Sequence, residues 1–478
     1  MLFNSFEFAL FLPIVFILYW FVARNNLVAQ NWILLVSSFV FYGWWDYRFL
    51  FLLGFSIFLD YFTGLKIENA LTRKGKRNWL YISVFFNLGF LGFFKYYNFF
   101  IESFAELLSA VGLQPNVWTL QLILPIGISF YTFHGLSYVF DIYNGKTKPT
   151  YKFVDYAVFV SFFPLLVAGP IERATHLLPQ VSNGRQFNLE NAVDGLRQIL
   201  WGLFKKIVIA DGCAIYVNMI FGDYANYNGS TLFVGAILFA FQIYGDFSGY
   251  SDIALGVARL FGFELLKNFA YPYFSRDIAE FWRRWHISLS TWFKDYVYIP
   301  LGGSKVSKLK VIRNTFIIFL LSGFWHGANW TFIFWGGLNA MYFLPLLLFG
   351  RNRTNLDIVA KGKLLPSLRD MYKMGSTFLL VALAWIFFRS ENLNNAFAYV
   401  AGIFSPTFFT KPEVLPRTLL FAIFIFIIVE WQGREQPYAI ATTGLSWHRP
   451  VRWFFYCMLI VTIIVLGSRE QQFIYFQF

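Results

Sequence analysis

Charge is scarce in this chain. Of 478 residues only 14% are Asp, Glu, Lys or Arg, while 58% are hydrophobic and 22% aromatic, against roughly a quarter charged and half apolar in soluble domains. That deficit excludes a water-soluble globular protein. Cysteine is nearly missing as well: Cys213 and Cys457 lie far apart in apolar surroundings, and two such residues can build neither a disulfide framework nor a cysteine zinc site. The five histidines include no HExxH pair, so no metal is expected. No basic residue precedes the first apolar stretch, MLFNSFEFALFLPIVFILYWFV, and no small-residue cleavage site follows it; a first spanning helix is expected there and not a removable signal. Lys and Arg are absent from Tyr96 through Gly145.

What remains is apolar sequence in long runs. A bilayer core of roughly 30 Å needs about 20 apolar residues per spanning helix, which predicts an all-α polytopic membrane protein with roughly ten to twelve spans and little chain left for a soluble domain. The candidate stretches are 6–23, 28–46, 48–65, 78–98, 119–141, 153–169, 194–221, 231–262, 309–326, 329–349, 374–388, 416–431 and 451–467. With neither repeat nor low-complexity linker, residues 1–478 read as one membrane domain. The net charge of +13 does not point to nucleic acid, because the basic residues cluster in short loops such as Lys66, Arg73, Lys74, Lys76 and Arg77. Cytoplasmic loops carry the basic excess. Loops 66–77, 304–313 and 351–373 are therefore expected to face the cytoplasm, and 99–118 with both chain termini the outside.

Residues 267–304 have a different texture, KNFAYPYFSRDIAEFWRRWHISLSTWFKDYVYIPLGGS. Ser275 can cap a helix whose first turn holds Asp277. Trp282, Trp285, His286, Leu289 and Phe293 then share one face at i, i+3, i+4 and i+7 spacing. Arg283 and Arg284 point elsewhere, toward Glu280 or toward phosphates, as in an interfacial helix.

An ionisable residue at membrane depth costs at least a few kcal/mol and by default faces the protein interior, where it marks function. His326, inside LLSGFWHGANWTF, is the sharpest case: eleven residues from Thr315 to Trp325 would deliver it about 16 Å into the bilayer, and Gly327-Ala328-Asn329 can turn the chain there. The bland alternative is a core histidine bonded between helices. For His286 that alternative is a half-buried interfacial histidine. Asp246 and Asp252 lie inside one apolar run beside a Gly245-xxx-Gly249 pattern that admits a close neighbouring helix; packing glue competes with catalysis as their explanation. Glu172-Arg173 reads as a local ion pair. His134, His176 and His448 read as packing or surface residues.

Four stretches together, GPIER (169–173), YGDFSGYSDIA (244–254), FWRRWHISLSTWFKDYVYIPLGG (281–303) and SGFWHGANWTFIFWGGLNA (322–340), resemble the membrane-bound O-acyltransferase superfamily. The likeness runs from about residue 5 to the terminal FIYFQF and is closest to its bacterial polysaccharide O-acetylation branch. That resemblance implies a ring of helices, with re-entrant and amphipathic segments, whose cytoplasmic and outer funnels meet at a central site. It implies His326 as the catalytic residue and His286 as a second active-site residue. Acyl transfer from a thioester to a hydroxyl needs a base and a donor for the developing oxyanion. A neutral His326 suits the first, and His286, Asn329 or a tryptophan such as Trp325 the second. Arg283, Arg284, Lys294, Lys305, Lys308 and Lys310 are candidates to attract the phosphates of acetyl-coenzyme A or an acyl-carrier protein, with solvated surface lysines as the alternative for the last three. No bound cofactor is expected.

A bacterial cytoplasmic membrane is the expected location, and an extracytoplasmic acyltransferase that finishes the transfer to a glycan is the expected partner. The hydrophilic loops are too short for a carbohydrate domain and hold no GxSxG signature. That partner is expected to dock near loop 99–118 or the FIYFQF end. Competing readings are a lipid acyltransferase and a transporter or flippase built on intramembrane Asp and His.

Overall fold

A computed structural model describes residues 1–113, 118–467 and 471–474. Every regular element among them is helical. The chain divides into two compact units, one comprising 1–188 with 260–266 and the other 189–259 with 267–478.

In the first unit, Ser5 caps α1 (Phe6–Ile17), which a π turn continues to Val22, and Asn26 caps α2 (Leu27–Gly43). Then come α3 (Phe49–Asn69) and α4 (Arg73–Leu91), which a π turn, Gly92–Tyr96, joins to α5 (Tyr97–Ala110). Arg73–Ala110 is therefore one 38-residue rod. The loops expected at 66–77 and 99–118 are mostly helix: no glycine or proline interrupts the chain between Tyr97 and Val111, so nothing stops α5 before Gly112. Residues 114–117 lie outside the described residues. The span expected from 119 becomes helical only at α6 (Ile128–Tyr143), because Pro125 and a left-handed Gly127 (φ 75°) precede it. Next are α7 (Phe153–Ser161), α8 (Phe163–Leu166) and α9 (Ala174–Ser182). Glu172 is buried; its carboxylate accepts from Leu266 N (2.6 Å) and meets His176 Nδ1 (2.8 Å), while its own N–H donates to His134 Nε2 (3.0 Å). Two histidines that looked incidental thus belong to one polar network.

The second unit holds α10 (Leu189–Leu203), a π turn Phe204–Ala210, α11 (Asp211–Gly222) and the 32-residue α12 (Gly229–Leu260). Two short helices follow, α13 (Ile278–Arg284) and α14 (Ile287–Phe293), and then the pair α15 (Lys308–His326) and α16 (Trp330–Leu348). The unit closes with α17 (Leu368–Arg389), α18 (Leu393–Ile403), α19 (Arg417–Gln432) and α20 (Arg449–Leu466).

The protein is polytopic. Among the described residues, six helices are long and apolar enough to cross a membrane: Phe49–Asn69, Arg73–Ala110, Gly229–Leu260, Trp330–Leu348, Leu368–Arg389 and Arg449–Leu466. Of the other expected spans, Phe6–Val22 and Leu27–Gly43 are apolar but shorter, and α15 opens on Lys308, Lys310 and Arg313.

Candidate active site

The region expected as one amphipathic helix is two. Asp277, not Ser275, caps α13 by accepting from Glu280 N (2.7 Å), and the helix stops at an extended Trp285. His286 then takes a left-handed backbone (φ 44°) and starts α14. A histidine there is uncommon and reports local constraint. Despite the break, Trp282, Trp285, His286, Leu289 and Phe293 all line one cavity of about 640 Å³. Spacing alone found the right set through the wrong geometry.

The opposite wall is α15. Lys308, Val311, Thr315, Ile318, Phe319, Ser322 and His326 all face the cavity, a stripe at three- and four-residue intervals. From Lys308 to His326 that stripe runs about 27 Å at 1.5 Å per residue. His326 is the last residue of α15, and an extended Gly327 carries the chain into α16. The two helices form a hairpin whose open ends meet where Lys308 Nζ donates to the Leu348 carbonyl (3.1 Å). His326 occupies the bend of this hairpin, and its two open ends lie together. Backbone contact holds the hairpin, since a methyl at Gly323 would overlap the Phe332 carbonyl and one at Gly336 the Phe319 carbonyl.

At the closed end the imidazole centroids of His286 and His326 are 6.4 Å apart, beyond direct hydrogen-bond reach of their nitrogens and wide enough to admit a small group. Trp325 packs at 5.7 Å from the first ring and 4.9 Å from the second; Trp335 (5.3 Å) and Phe388 (5.1 Å) close around His326, and Phe247 (4.6 Å) backs His286. Both histidines are buried. Burial pushes the His286 imidazole down to about 3, so it is neutral at physiological pH. Trp282 Nε1, also buried on the cavity wall, has no hydrogen-bond partner among the described residues.

At the open end the cavity is polar and basic, with Lys294, Tyr298, Ser304, Lys308, Asn352 and Arg353. Of the six residues weighed for donor phosphates, Lys294 and Lys308 line it and Arg283, Arg284, Lys305 and Lys310 do not. Arg283 donates to the carbonyls of Asn352 (2.8 Å) and Asn355 (2.6 Å), and Arg284 binds Glu280 (2.8 Å) and the Asp357 carbonyl (3.0 Å). They fix the loop that presents Arg353. The sequence reading passed over Arg353 and Ser322; Ser322 could have been found, since it lies four residues before His326 on the same helical face.

Asn329 is spent on the bend. Its Oδ1 accepts from Thr331 N (2.9 Å), capping α16, and its Nδ2 donates to the Glu391 carbonyl (2.8 Å). Asp246 and Asp252 find their cations on the adjacent π turn: Lys206 reaches Asp246 (2.8 Å) and Asp211 (2.7 Å), and Lys205 reaches Asp252 (2.5 Å). Gly249 makes the approach possible, since a Cβ there would stand 2.8 Å from the Gly202 carbonyl. Asp246 also accepts from Ile474 N (2.7 Å). The rest of the FIYFQF end, 475–478, lies outside the described residues.

A family model described as the membrane-bound O-acyltransferase (MBOAT) family matches residues 146–365. A protein named probable alginate O-acetylase AlgI from Pseudomonas putida is 37% identical over 492 residues, spanning 98% of both chains. The protein of that name from Pseudomonas aeruginosa is 40% identical over 83% of this chain and 73% of its own. A peptidoglycan O-acetyltransferase from Helicobacter pylori is 37% identical over 84% of this chain and 80% of its own.

Proposed function

Given that this chain belongs to the membrane-bound O-acyltransferase family, and is thus an O-acyltransferase, we propose that it moves an acetyl group from a cytoplasmic thioester toward an extracytoplasmic polysaccharide, working in the bacterial cytoplasmic membrane. The names of its relatives favour alginate-like or peptidoglycan acceptors over lipid. One observation carries the reading: a single cavity joins a basic mouth at Lys294, Lys308 and Arg353 to two buried histidines, with Lys308 about 27 Å from His326 along α15. Such a shape suits an acyl thioester on a long flexible arm, with its phosphates or its acidic carrier protein held at the mouth. Acetyl-coenzyme A fits that description.

In this scheme His326 takes the proton of the acceptor hydroxyl as its oxygen attacks the thioester carbonyl. The tetrahedral oxyanion accepts hydrogen bonds from the Trp282 indole N–H and from the N–H of neutral His286. Collapse expels the thiolate, which recovers the proton from His326. Tryptophan and phenylalanine rings around both imidazoles exclude water, which limits thioester hydrolysis. A separate extracytoplasmic acyltransferase would then carry the acetyl group to the glycan.

His326→Ala tests the assignment. The protein should insert and melt normally, because only a modest side chain is lost, while acetyl transfer falls by a factor on the order of 10² to 10⁴. His286→Asn, which tolerates the left-handed backbone, should retain the fold and lose much of the rate. Undiminished transfer by His326→Ala in proteoliposomes would sink the mechanism. Efficient glycan acetylation by the purified chain with acetyl-coenzyme A alone would remove the second enzyme from the scheme.

A further inference from the structure

A second cavity of about 350 Å³ opens in the same unit, and neither histidine lines it. Its walls are Met371, Met374 and Phe378 of α17, Phe426 and Trp431 of α19, and Phe241 of α12. Every polar side chain on the lining is already engaged. Tyr244 Oη donates to Glu430 (2.6 Å), Tyr271 Oη to the Gln436 carbonyl (3.1 Å) and Tyr273 Oη to the Ala240 carbonyl (2.6 Å). Trp431 Nε1 donates to the Leu364 carbonyl (2.7 Å), and the second oxygen of Glu430 accepts from Trp201 Nε1 (3.2 Å). A ligand entering here meets aromatic faces and thioethers and no polar side chain without a bond, a lining suited to hydrocarbon.

The rim has a different chemistry. Segment 361–373, KGKLLPSLRDMYK, leaves Leu364, Leu365 and Leu368 exposed at 77%, 73% and 85%, interleaved with Lys361, Lys363, Arg369 and Lys373. Its neighbouring carboxylates are occupied: Asp370 accepts from Ser367 Oγ (2.8 Å), and Glu435 from Gly362 N (2.8 Å). Protruding leucines among cations are what an element needs to sit at the boundary between acyl chains and anionic headgroups.

We propose that this cavity holds one acyl chain of an anionic membrane phospholipid, whose phosphate lies among the basic side chains of residues 361–373. The apolar lining selects the chain, and the charge of the rim selects the headgroup. The site does not depend on the acetyl-transfer scheme.

The test uses the full chain in nanodiscs containing phosphatidylglycerol with a photoactivatable group in one acyl chain. Irradiation, digestion and mass spectrometry should locate the label in peptides covering 366–378 and 426–431. A Cβ at Gly375 would meet nothing within 4 Å, so Gly375→Phe has room to enter the cavity and should cut that label at least fivefold without lowering the melting temperature. Lys361→Glu with Lys363→Glu, both on the surface, should cut labelling by phosphatidylglycerol severalfold while leaving that by phosphatidylcholine unchanged. Label spread evenly over the outer helices and indifferent to Gly375→Phe would overturn the proposal. So would equal labelling by the two lipids in the unmodified protein, or displacement of the label by an acyl thioester of the same chain length.

Discussion

Replacing Gly249 by alanine should damage this protein although it adds one methyl group. Gly249 lies three residues from Asp246 and three from Asp252, where α12 packs against the end of α10 and the start of the π turn. A Cβ there would stand 2.8 Å from the Gly202 carbonyl oxygen, 3.1 Å from Lys206 N and 3.2 Å from Lys205 Cβ, where ordinary contact begins at 3.4 Å. Two of those three neighbours are backbone atoms that cannot swing aside, so the elements must separate by about 0.5 Å. That shift acts on both charge pairs at once, Lys205 with Asp252 at 2.5 Å and Lys206 with Asp246 at 2.8 Å. Overpacking of this kind costs about 1–3 kcal/mol, and weakened buried pairs add to it because the charges stay dehydrated. The gain in helix propensity from alanine is at most about 1 kcal/mol. The net effect is a loss of about 1–3 kcal/mol, seen as a drop of about 1–3 °C in the melting temperature of the detergent-purified protein. Gly337→Ala is the control: on α16 its nearest new contact is Leu320 Cδ2 at 3.6 Å, and it should melt at or slightly above the wild-type temperature. If Gly249→Ala melts like Gly337→Ala, the close approach does not govern how the charges are held.

Two further outcomes follow from the site. Lys308→Glu with Arg353→Glu should raise the KM for the thioester donor about tenfold or more, with little change in kcat, because exposed charge contacts are worth about 1 kcal/mol or less each and reversal roughly doubles the effect; steady-state kinetics at low ionic strength would show it, and an unchanged KM would exclude the mouth as a phosphate contact. Asn329→Ala should cost about 0.5–2 kcal/mol through the lost α16 cap and slow transfer by shifting the bend that holds His326; full activity together with full stability would mean that the cap does not position the histidine.

The long helices were legible because apolar runs of nearly correct length announce them: 231–262 was expected and Gly229–Leu260 is found, 309–326 was expected and Lys308–His326 is found. The need of Asp246 and Asp252 for donors was legible too. The identity of those donors was not, because Lys205 and Lys206 lie some forty residues away in sequence and come into reach only through a π turn, for which no residue pattern is specific. The break at His286 was hidden for a similar reason. Left-handed backbone is usually advertised by glycine or asparagine, and WRRWHISLS offers neither. The pairing of Arg284 with Glu280 was among the expected alternatives and is found; the remaining partners of Arg283 and Arg284, the carbonyls of Asn352, Asn355 and Asp357, were hidden because they are backbone groups that every sequence has.

A π turn is one residue longer than the α-helical path it replaces, so Phe204–Ala210 behaves as a built-in insertion. Adjacent residues of an ordinary helix point about 100° apart; here Lys205 and Lys206 both reach α12, and α11 leaves the turn in a rotated register. In genetic terms this places the constraint on length more than on identity. Substitutions at Ile207 or Val208 can be absorbed by repacking, whereas loss of a single codon between Gly202 and Asp211 would restore plain α geometry, turn one lysine away from its carboxylate and rotate every downstream side chain of α11 by about 100°. The segment is a spacer whose count carries the information, and a chain with this site is expected to keep that count even where its letters change.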